Sequence, residues 1–137
     1  MSYAGDVTPE QAWAALRDEP GAVLVDVRTR AEWSYVGLPD LAPIGKEVVL
    51  VEWQSYPDGR VNEGFVDELA AAGVGKEQSV YFLCRSGVRS VSAAKAATAA
   101  GWAESRNVLE GFEGPHDADR HRAVSGWKVA GLPWVQG

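Results

Sequence analysis

The chain has 137 residues, of which 46% are hydrophobic, and it carries a formal net charge of −6 at pH 7. This length suits one domain with one core and is too short for two domains. The acidic balance argues against nucleic acid or an anionic membrane surface as the main partner, because binding phosphate groups needs a basic face. We therefore expect a single domain over residues 1–137, with no nucleic-acid partner and no membrane partner.

Cysteine usage and the amino-terminal residues indicate where the protein works. The chain contains one cysteine, Cys84, so it can form no internal disulfide, and nothing indicates an oxidising compartment. Residues 1–6 show neither the basic region nor the apolar run that begins a secretory signal. We expect a cytoplasmic protein.

The first predicted elements are a helix and a strand. Thr8 is the predicted N-cap, Pro9 fits the first helical position, and Gln11 can complete a capping box. This helix is predicted to end near Pro20. The compact apolar run at residues 22–25 is typical of a buried parallel strand.

Helical and extended patterns alternate along the rest of the chain. A short helix is predicted over residues 30–36, and a strand over 48–51 precedes a turn-rich stretch. Apolar residues at three- and four-residue spacing then predict a helix that ends at Gly73 or Gly75. The last predicted elements are a strand over 80–83, a helix over 90–100 and a strand over 105–109.

Strands that alternate with helices predict an α/β fold, with a mainly parallel central sheet and helices on both faces. In open sheets of this class the ligand crevice lies at the carboxyl ends of the strands. Cys84 directly follows the predicted strand at residues 80–83. We therefore expect the functional site at that end of the sheet.

Cys84 has the setting of a reactive thiol. A strand-to-helix turn directs backbone N–H groups and the positive end of the helix dipole inward, so it can hold an anion. This environment and the nearby arginines favour the thiolate, which is the nucleophilic form of cysteine. We predict that Cys84 is the catalytic nucleophile. The residues predicted to bind the substrate are the rest of the same loop: Arg85, Ser86, Gly87, Val88, Arg89 and Ser90.

Each polar or small residue of this loop has a predicted task. Gly87 lets the backbone adopt a positive φ and turn an N–H group toward the sulfur, and the small Ser86 keeps the mouth open. Ser90 is predicted to cap the following helix. Arg85 and Arg89 flank the thiol, where they can donate charge-assisted hydrogen bonds to the oxygens of an anionic substrate.

The segment from Cys84 to Ser90 resembles the active-site loop of single-domain rhodaneses, sulfurtransferases that carry sulfur as a cysteine persulfide. Residues 23–28, followed by Glu32 and Trp33, resemble the first strand of that family and its acidic-aromatic continuation. Residues 111–112 and 127–133 resemble its carboxyl-terminal signature, so the similarity covers nearly the whole chain.

Two departures from the family pattern are visible. A Gly-His-Ile-Pro-like run is usual after the acidic-aromatic pair, whereas this chain reads Gly37-Leu38-Pro39-Asp40. The charged insert at residues 113–122 has no counterpart in the resemblance.

The resemblance implies a two-step sulfur transfer. The Cys84 thiolate would attack the sulfane sulfur of a small sulfur-containing anion such as thiosulfate, and sulfite would leave. The outer sulfur of the resulting persulfide would then pass to an external acceptor, which could be cyanide, a small thiol or a protein thiol. The reaction implied by the resemblance needs no metal and no organic cofactor.

Two alternatives come from other classes of protein. Cysteine-dependent phosphatases and arsenate reductases also place a thiol in an anion-binding loop, but five residues separate their cysteine from the arginine. Here four residues separate Cys84 from Arg89, which makes a smaller cradle that suits one sulfur atom better than a tetrahedral phosphate. A non-catalytic rhodanese-like binding module is the other alternative, although such modules usually lack the nucleophile.

Other charged residues are interpreted as structural. Asp26 and Arg28 stand at the end of the first predicted buried strand, where acidic groups usually pair with nearby donors, so we do not assign them to catalysis. His116 and His121 lie in the charged insert, without a second ligand pair at zinc-site spacing. We therefore predict no metal site.

Overall fold

The computed structural model describes residues 3–35, 37–54, 60–84, 88–109, 127 and 132–135. The strands are β1 Gly5–Val7, β2 Val23–Asp26, β3 Leu38–Pro39, β4 Val49–Leu50, β5 Val80–Leu83, β6 Ser105–Val108 and β7 Trp134–Val135. The α-helices are α1 Pro9–Asp18, α2 Arg30–Tyr35, α3 Phe65–Ala71 and α4 Val88–Ala99, and residues Ala42–Ile44 form one 3₁₀ turn.

Five of these strands form one sheet in the order β1-β6-β5-β2-β4. Every neighbouring pair in this sheet is parallel. Strands β3 and β7 form a separate antiparallel pair. The predicted α/β fold with a parallel central sheet is therefore confirmed.

Side chains alternate between the two faces of the sheet, and helices cover both. On one face, Leu24 and Leu83 pack with Ala12 and Leu16 of α1. On the other face, the core contains apolar residues of β2 and β5 together with Cys84 and three alanines of α4. The alanines Ala93, Ala94 and Ala97 are fully buried, so small side chains let α4 lie close to the sheet that carries Cys84.

The first helix begins as its sequence predicts. The Thr8 Oγ1 accepts a hydrogen bond from the Gln11 backbone N–H at 3.1 Å, and the Gln11 Oε1 accepts one from the Thr8 N–H at 2.9 Å. This capping box satisfies two backbone donors that the helix itself leaves unpaired. The helix ends at Asp18, close to the predicted limit.

The predicted boundaries of the other elements differ by small amounts. Strand β5 has the predicted bounds, and β6 is one residue shorter than predicted. Helix α4 begins at Val88, two residues before the predicted start. Strands β1, β3 and β7 were not predicted from the sequence, because each has only two or three residues and no apolar run announces it.

The short β3–β7 pair joins two distant parts of the chain. Gly37, just before β3, has a φ of +114°, and a Cβ added there would lie 2.6 Å from the Val135 carbonyl oxygen. Only glycine fits this close approach without displacing the backbone. Trp127 is fully buried and donates from Nε1 to the Pro133 carbonyl at 2.7 Å, which anchors the chain next to β7.

Several sequence predictions concern residues outside the described part of the chain. These are the turn-rich stretch at 56–59, the segment at 111–112, the charged insert at 113–122, and His116 and His121 within that insert. In the described part, no helix is long and apolar enough to cross a membrane.

Candidate active site

Cys84 lies immediately after β5, between the end of that strand and the start of α4 at Val88. Its side chain is 1% exposed and belongs to the core cluster under α4. The predicted location of the thiol, at the carboxyl edge of a parallel sheet before a helix, is therefore confirmed. The intervening Arg85, Ser86 and Gly87 lie outside the described residues.

Ser90 lies in the first turn of α4 and is fully buried. Its Oγ is 3.2 Å from the Cys84 Sγ and 2.5 Å from the Asn107 Oδ1. The prediction that Ser90 is the N-cap of this helix is wrong, because the helix already begins at Val88. The hydroxyl instead turns inward, where the thiol and Asn107 offer it partners.

Asn107 continues this hydrogen-bond chain away from the thiol. Its Nδ2 donates to the Asp6 Oδ1 at 3.0 Å, and the Tyr3 hydroxyl donates to the same oxygen at 2.8 Å. Asn107 is 2% exposed. We did not single out Asn107 or Asp6 from the sequence, although a polar amide in a strand that reads as buried was a usable signal.

Arg89 forms a two-pronged ion pair with Glu32 of α2. The Arg89 Nη1 and Nη2 donate to the Glu32 Oε1 and Oε2 at 2.7 and 2.9 Å. The side chains are 21% and 18% exposed, respectively. Thr29 supports the carboxylate, since its N–H and its hydroxyl each donate to the Oε1 at 3.2 Å.

Electrostatics hold both members of this pair in their charged forms. Burial opposes the charge on Glu32, but the hydrogen bonds and the charge of Arg89 outweigh it and lower the pKa of Glu32. Burial likewise opposes the charge on Arg89, while Glu32 raises the pKa of Arg89, with a smaller contribution from Cys84. Arg89 is therefore a permanent positive charge whose field reaches the thiol.

Asp26 and Arg28 form a second ion pair at the end of β2. The Arg28 Nη2 donates to the Asp26 Oδ2 at 2.7 Å and to the Gly37 carbonyl at 2.7 Å, and neither side chain of the pair is exposed. This agrees with the interpretation of Asp26 as a structural residue that pairs with nearby donors. The Arg28 side chain links β2 to the backbone just before β3.

The described structure brings three of the predicted site residues together. Cys84, Arg89 and Ser90 meet where β5 ends and α4 begins, and Ser90 contacts the sulfur directly. Val88 is the first residue of α4. The geometry also adds Glu32 and Asn107, which hold Arg89 and Ser90 in place.

The sequence of this chain is similar to a known protein family and to several known proteins. A protein-family model described as the STR4 middle domain matches residues 4–137. A chloroplastic protein of Oryza sativa subsp. indica named THYLAKOID RHODANESE-LIKE is 30% identical over 132 residues, covering 96% of this chain and 25% of that protein. The chain belongs to the rhodanese-like family. This rhodanese-like chain spans about a quarter of the rice relative. It matches an uncharacterized protein of Rickettsia conorii nearly end to end, with 37% identity over 130 residues that cover 94% of this chain and 95% of that protein.

Solved structures extend the comparison to the fold. The crystal structure of Rv0390 from M. tuberculosis is 54% identical, has a TM-score of 0.90 and covers 98% of this chain and 99% of its own. The polysulfide-sulfur transferase homodimer of Wolinella succinogenes is 22% identical, with a TM-score of 0.67, covering 99% of this rhodanese-like chain and 80% of its own. At that identity the second likeness shows the shared fold.

Proposed function

We propose that this rhodanese-like domain is a sulfurtransferase of the thiosulfate type. It moves a sulfane sulfur from a donor such as thiosulfate, through a persulfide on Cys84, to a nucleophilic acceptor such as cyanide or a thiol, including a protein thiol. The observation that carries this proposal is the position of Cys84 between a buried parallel strand and the start of a 12-residue helix.

The proposed chemistry has two displacement steps. In the first, the Cys84 thiolate attacks the sulfane sulfur of thiosulfate, the sulfur–sulfur bond of the donor breaks, and sulfite leaves with the electron pair. In the second, the acceptor attacks the outer sulfur of the persulfide, and the Cys84 thiolate leaves. No oxidant or reductant is consumed, and the steps require no metal or organic cofactor.

The neighbouring groups are assigned roles in this scheme. Backbone N–H groups of residues 85–88 would stabilise the outer sulfur, as helix-terminal donors stabilise developing anions. Arg85 and the charge of Arg89 would attract the donor, with Gly87 and Ser86 leaving room for it. Ser90 would position the inner sulfur, because its hydroxyl already contacts the Sγ.

The ion pair with Glu32 refines the role of Arg89. Both terminal nitrogens of the guanidinium are occupied by the carboxylate. We therefore assign Arg89 an effect on the first step that acts mainly through its charge. The same occupancy argues against a cysteine phosphatase, whose arginine must clasp the phosphate with these nitrogens.

The test compares two activities in one preparation of the unmodified protein. We expect measurable sulfur transfer from thiosulfate to cyanide and negligible hydrolysis of an aryl phosphate. Cys84→Ser should abolish the transfer, since a serine hydroxyl is not ionised at neutral pH. Phosphatase turnover without sulfur transfer would overturn the proposal, as would full transfer by Cys84→Ser.

The kinetic pattern separates a true carrier of sulfur from a binding module. A persulfide that forms before the acceptor binds predicts ping-pong kinetics, with parallel double-reciprocal lines for donor and acceptor. Intersecting lines would contradict a free persulfide intermediate. A non-catalytic module would show no turnover in either assay.

A further inference from the structure

A chain of hydrogen bonds runs from the Cys84 sulfur to the surface. Two of its members, Asn107 and Asp6, have no role in the reaction proposed above. The chain passes from the Cys84 Sγ to the Ser90 Oγ, then to the Asn107 amide and the Asp6 carboxylate. Ser90 and Asn107 are buried, whereas Asp6 is exposed. The role of this chain in the chemistry of the thiol rests on the proposed function.

The topology of the sheet places these groups on one face. Asn107 pairs in register with Phe82 of β5 on one side and with Asp6 of β1 on the other. Cys84 lies two residues after Phe82, so the two side chains point to the same side of the sheet. Helix α4 covers that face and brings Ser90 over the gap between Cys84 and Asn107.

The Asp6 carboxylate fixes the orientation of the Asn107 amide. A carboxylate only accepts hydrogen bonds, so the amide must turn its Nδ2 toward Asp6. Its Oδ1 then faces Ser90 and requires a donor. The Ser90 hydroxyl lies 2.5 Å away and is that donor.

Ser90 has one proton and two neighbours that compete for it. A hydroxyl donates once, although it can accept twice. When Cys84 is a thiol, its S–H can donate to the Ser90 Oγ, and Ser90 can donate to Asn107, so the chain is complete. When Cys84 is a thiolate, a Ser90 that donates to the sulfur must abandon the buried Oδ1 of Asn107, and an abandoned buried acceptor is costly.

In the persulfide, the inner sulfur does not compete with Asn107 for the Ser90 hydroxyl proton. Its negative charge lies on the outer sulfur, and the inner Sγ is bonded and uncharged. Ser90 can therefore keep its bond to Asn107 while Cys84 carries sulfur. The chain of Asp6, Asn107 and Ser90 disfavours only the empty thiolate.

We propose that Asp6 and Asn107 are positioning residues that withhold the Ser90 proton from the Cys84 thiolate, and so favour the sulfur-loaded protein over the empty thiolate. Without the hydrogen bond from Ser90, the Cys84 thiolate is a stronger nucleophile toward the donor and a poorer leaving group when an acceptor attacks the persulfide. The Cys84 persulfide should therefore keep its outer sulfur until a strong nucleophile attacks it.

The test measures the ratio of thiolate to thiol at neutral pH from the ultraviolet absorbance of the thiolate. Cys84 is the only cysteine, so subtracting the spectrum of Cys84→Ser isolates its signal. Asn107→Leu keeps the approximate side-chain shape and removes the competing acceptor. This variant should raise the ratio about tenfold, the scale of one hydrogen bond to a charged group.

The same substitution in a Ser90→Ala background provides the control. The Ser90→Ala background has no hydroxyl that could donate to the thiolate, so Asn107→Leu should leave the ratio of thiolate to thiol unchanged. A mere packing effect of the introduced leucine side chain would move both backgrounds alike. An unchanged ratio in the Ser90 background, or an equal rise in both, would overturn the proposal. Arg89, whose charge also acts on Cys84, is the same in every variant.

A second variant decides the question if Asn107→Leu does not fold. Asp6→Ala changes an exposed side chain and frees the Asn107 amide to rotate, so the ratio should rise about threefold, less than for complete removal of the acceptor. No rise would overturn the proposal. The spectrum needs no sulfur donor, so this result stands apart from the sulfurtransferase assays. If those assays succeed, both variants should also release sulfur from the persulfide faster than the parent.

Discussion

Two arginine–carboxylate pairs lie close to the carboxyl edge of the sheet, and they differ in burial. Arg28 and Asp26 are two residues apart and completely buried. Arg89 and Glu32 are 57 residues apart, join α4 to α2, and keep about a fifth of each side chain exposed. The two pairs use the same chemical groups and similar distances, but the second includes a residue in the first turn of α4, the helix that follows Cys84.

The difference in burial separates a structural pair from a pair that can serve a reaction. Removing one partner of a fully buried pair leaves a charge without water or a counterion, which costs far more than the pair itself contributes. A partly exposed pair can be broken at small cost, because water replaces the lost partner. We therefore expect Arg28 to act on stability, and Arg89 to act mainly on the site.

The largest predicted effect is the loss of stability in Arg28→Met. The variant keeps a long side chain but leaves the buried Asp26 without its partner, so the free energy of unfolding should fall by about 3–5 kcal/mol. Urea unfolding followed by circular dichroism measures this change. Arg17→Met is a matched control, since Arg17 and Asp18 form a pair with more than half of each side chain exposed.

The control should leave the free energy of unfolding nearly unchanged, because water replaces the lost partner in an exposed pair. Similar losses in Arg28→Met and Arg17→Met would contradict the distinction between the pairs.

The next prediction concerns the activity of Arg89 variants. Arg89→Met removes the positive charge near the thiol and should slow persulfide formation from thiosulfate about tenfold, the scale of one unit charge acting over several ångströms at the intermediate dielectric of a partly buried site. Arg89→Lys should recover part of this loss, because it keeps the charge and lacks the fork that matches a carboxylate. Stopped-flow or quenched measurements of the first step give the rate constants. An equal loss in both variants would mean that geometry matters and charge does not.

The smallest predicted effect is a pH dependence of stability. The pKa of Glu32 is lowered in the folded protein, since Arg89 outweighs the opposing burial. A carboxyl group of this kind contributes stability above its ordinary unfolded pKa, and the contribution is lost as the pH falls through the lowered folded pKa. At neutral pH the free energy of unfolding of the parent should be about 1 kcal/mol higher than that of Glu32→Gln.

This advantage should disappear in acid. Urea unfolding of the parent and of Glu32→Gln over a pH series checks both the size and the sign. An advantage that grows as the pH falls would contradict the assigned direction.

Much of the fold follows from local sequence patterns. The apolar run of β5, bounded by polar residues, predicted that strand at its observed limits. The Thr8–Gln11 capping box was predicted because both partners lie within one turn. Such features depend on residues that are close in sequence, so reading the chain in order is sufficient to find them.

The features that were missed depend on distant residues. The Asn107–Asp6 hydrogen bond joins residues 101 positions apart, and the Arg89–Glu32 pair joins residues from two helices. Local propensity favoured Ser90 as a cap, but its inward partners are Cys84, which follows β5, and a residue of β6. Strand order decides which side chains meet at the edge of a sheet, and periodicity does not reveal strand order.

The central claim is that Cys84 carries sulfur as a persulfide, and intact mass spectrometry tests it most directly. After incubation with thiosulfate and removal of small molecules, the protein should gain the mass of one sulfur atom, and a reducing thiol should remove it. Cys84→Ser should show no gain under the same treatment. An unmodified mass for the parent protein, or an equal gain in Cys84→Ser, would contradict the account.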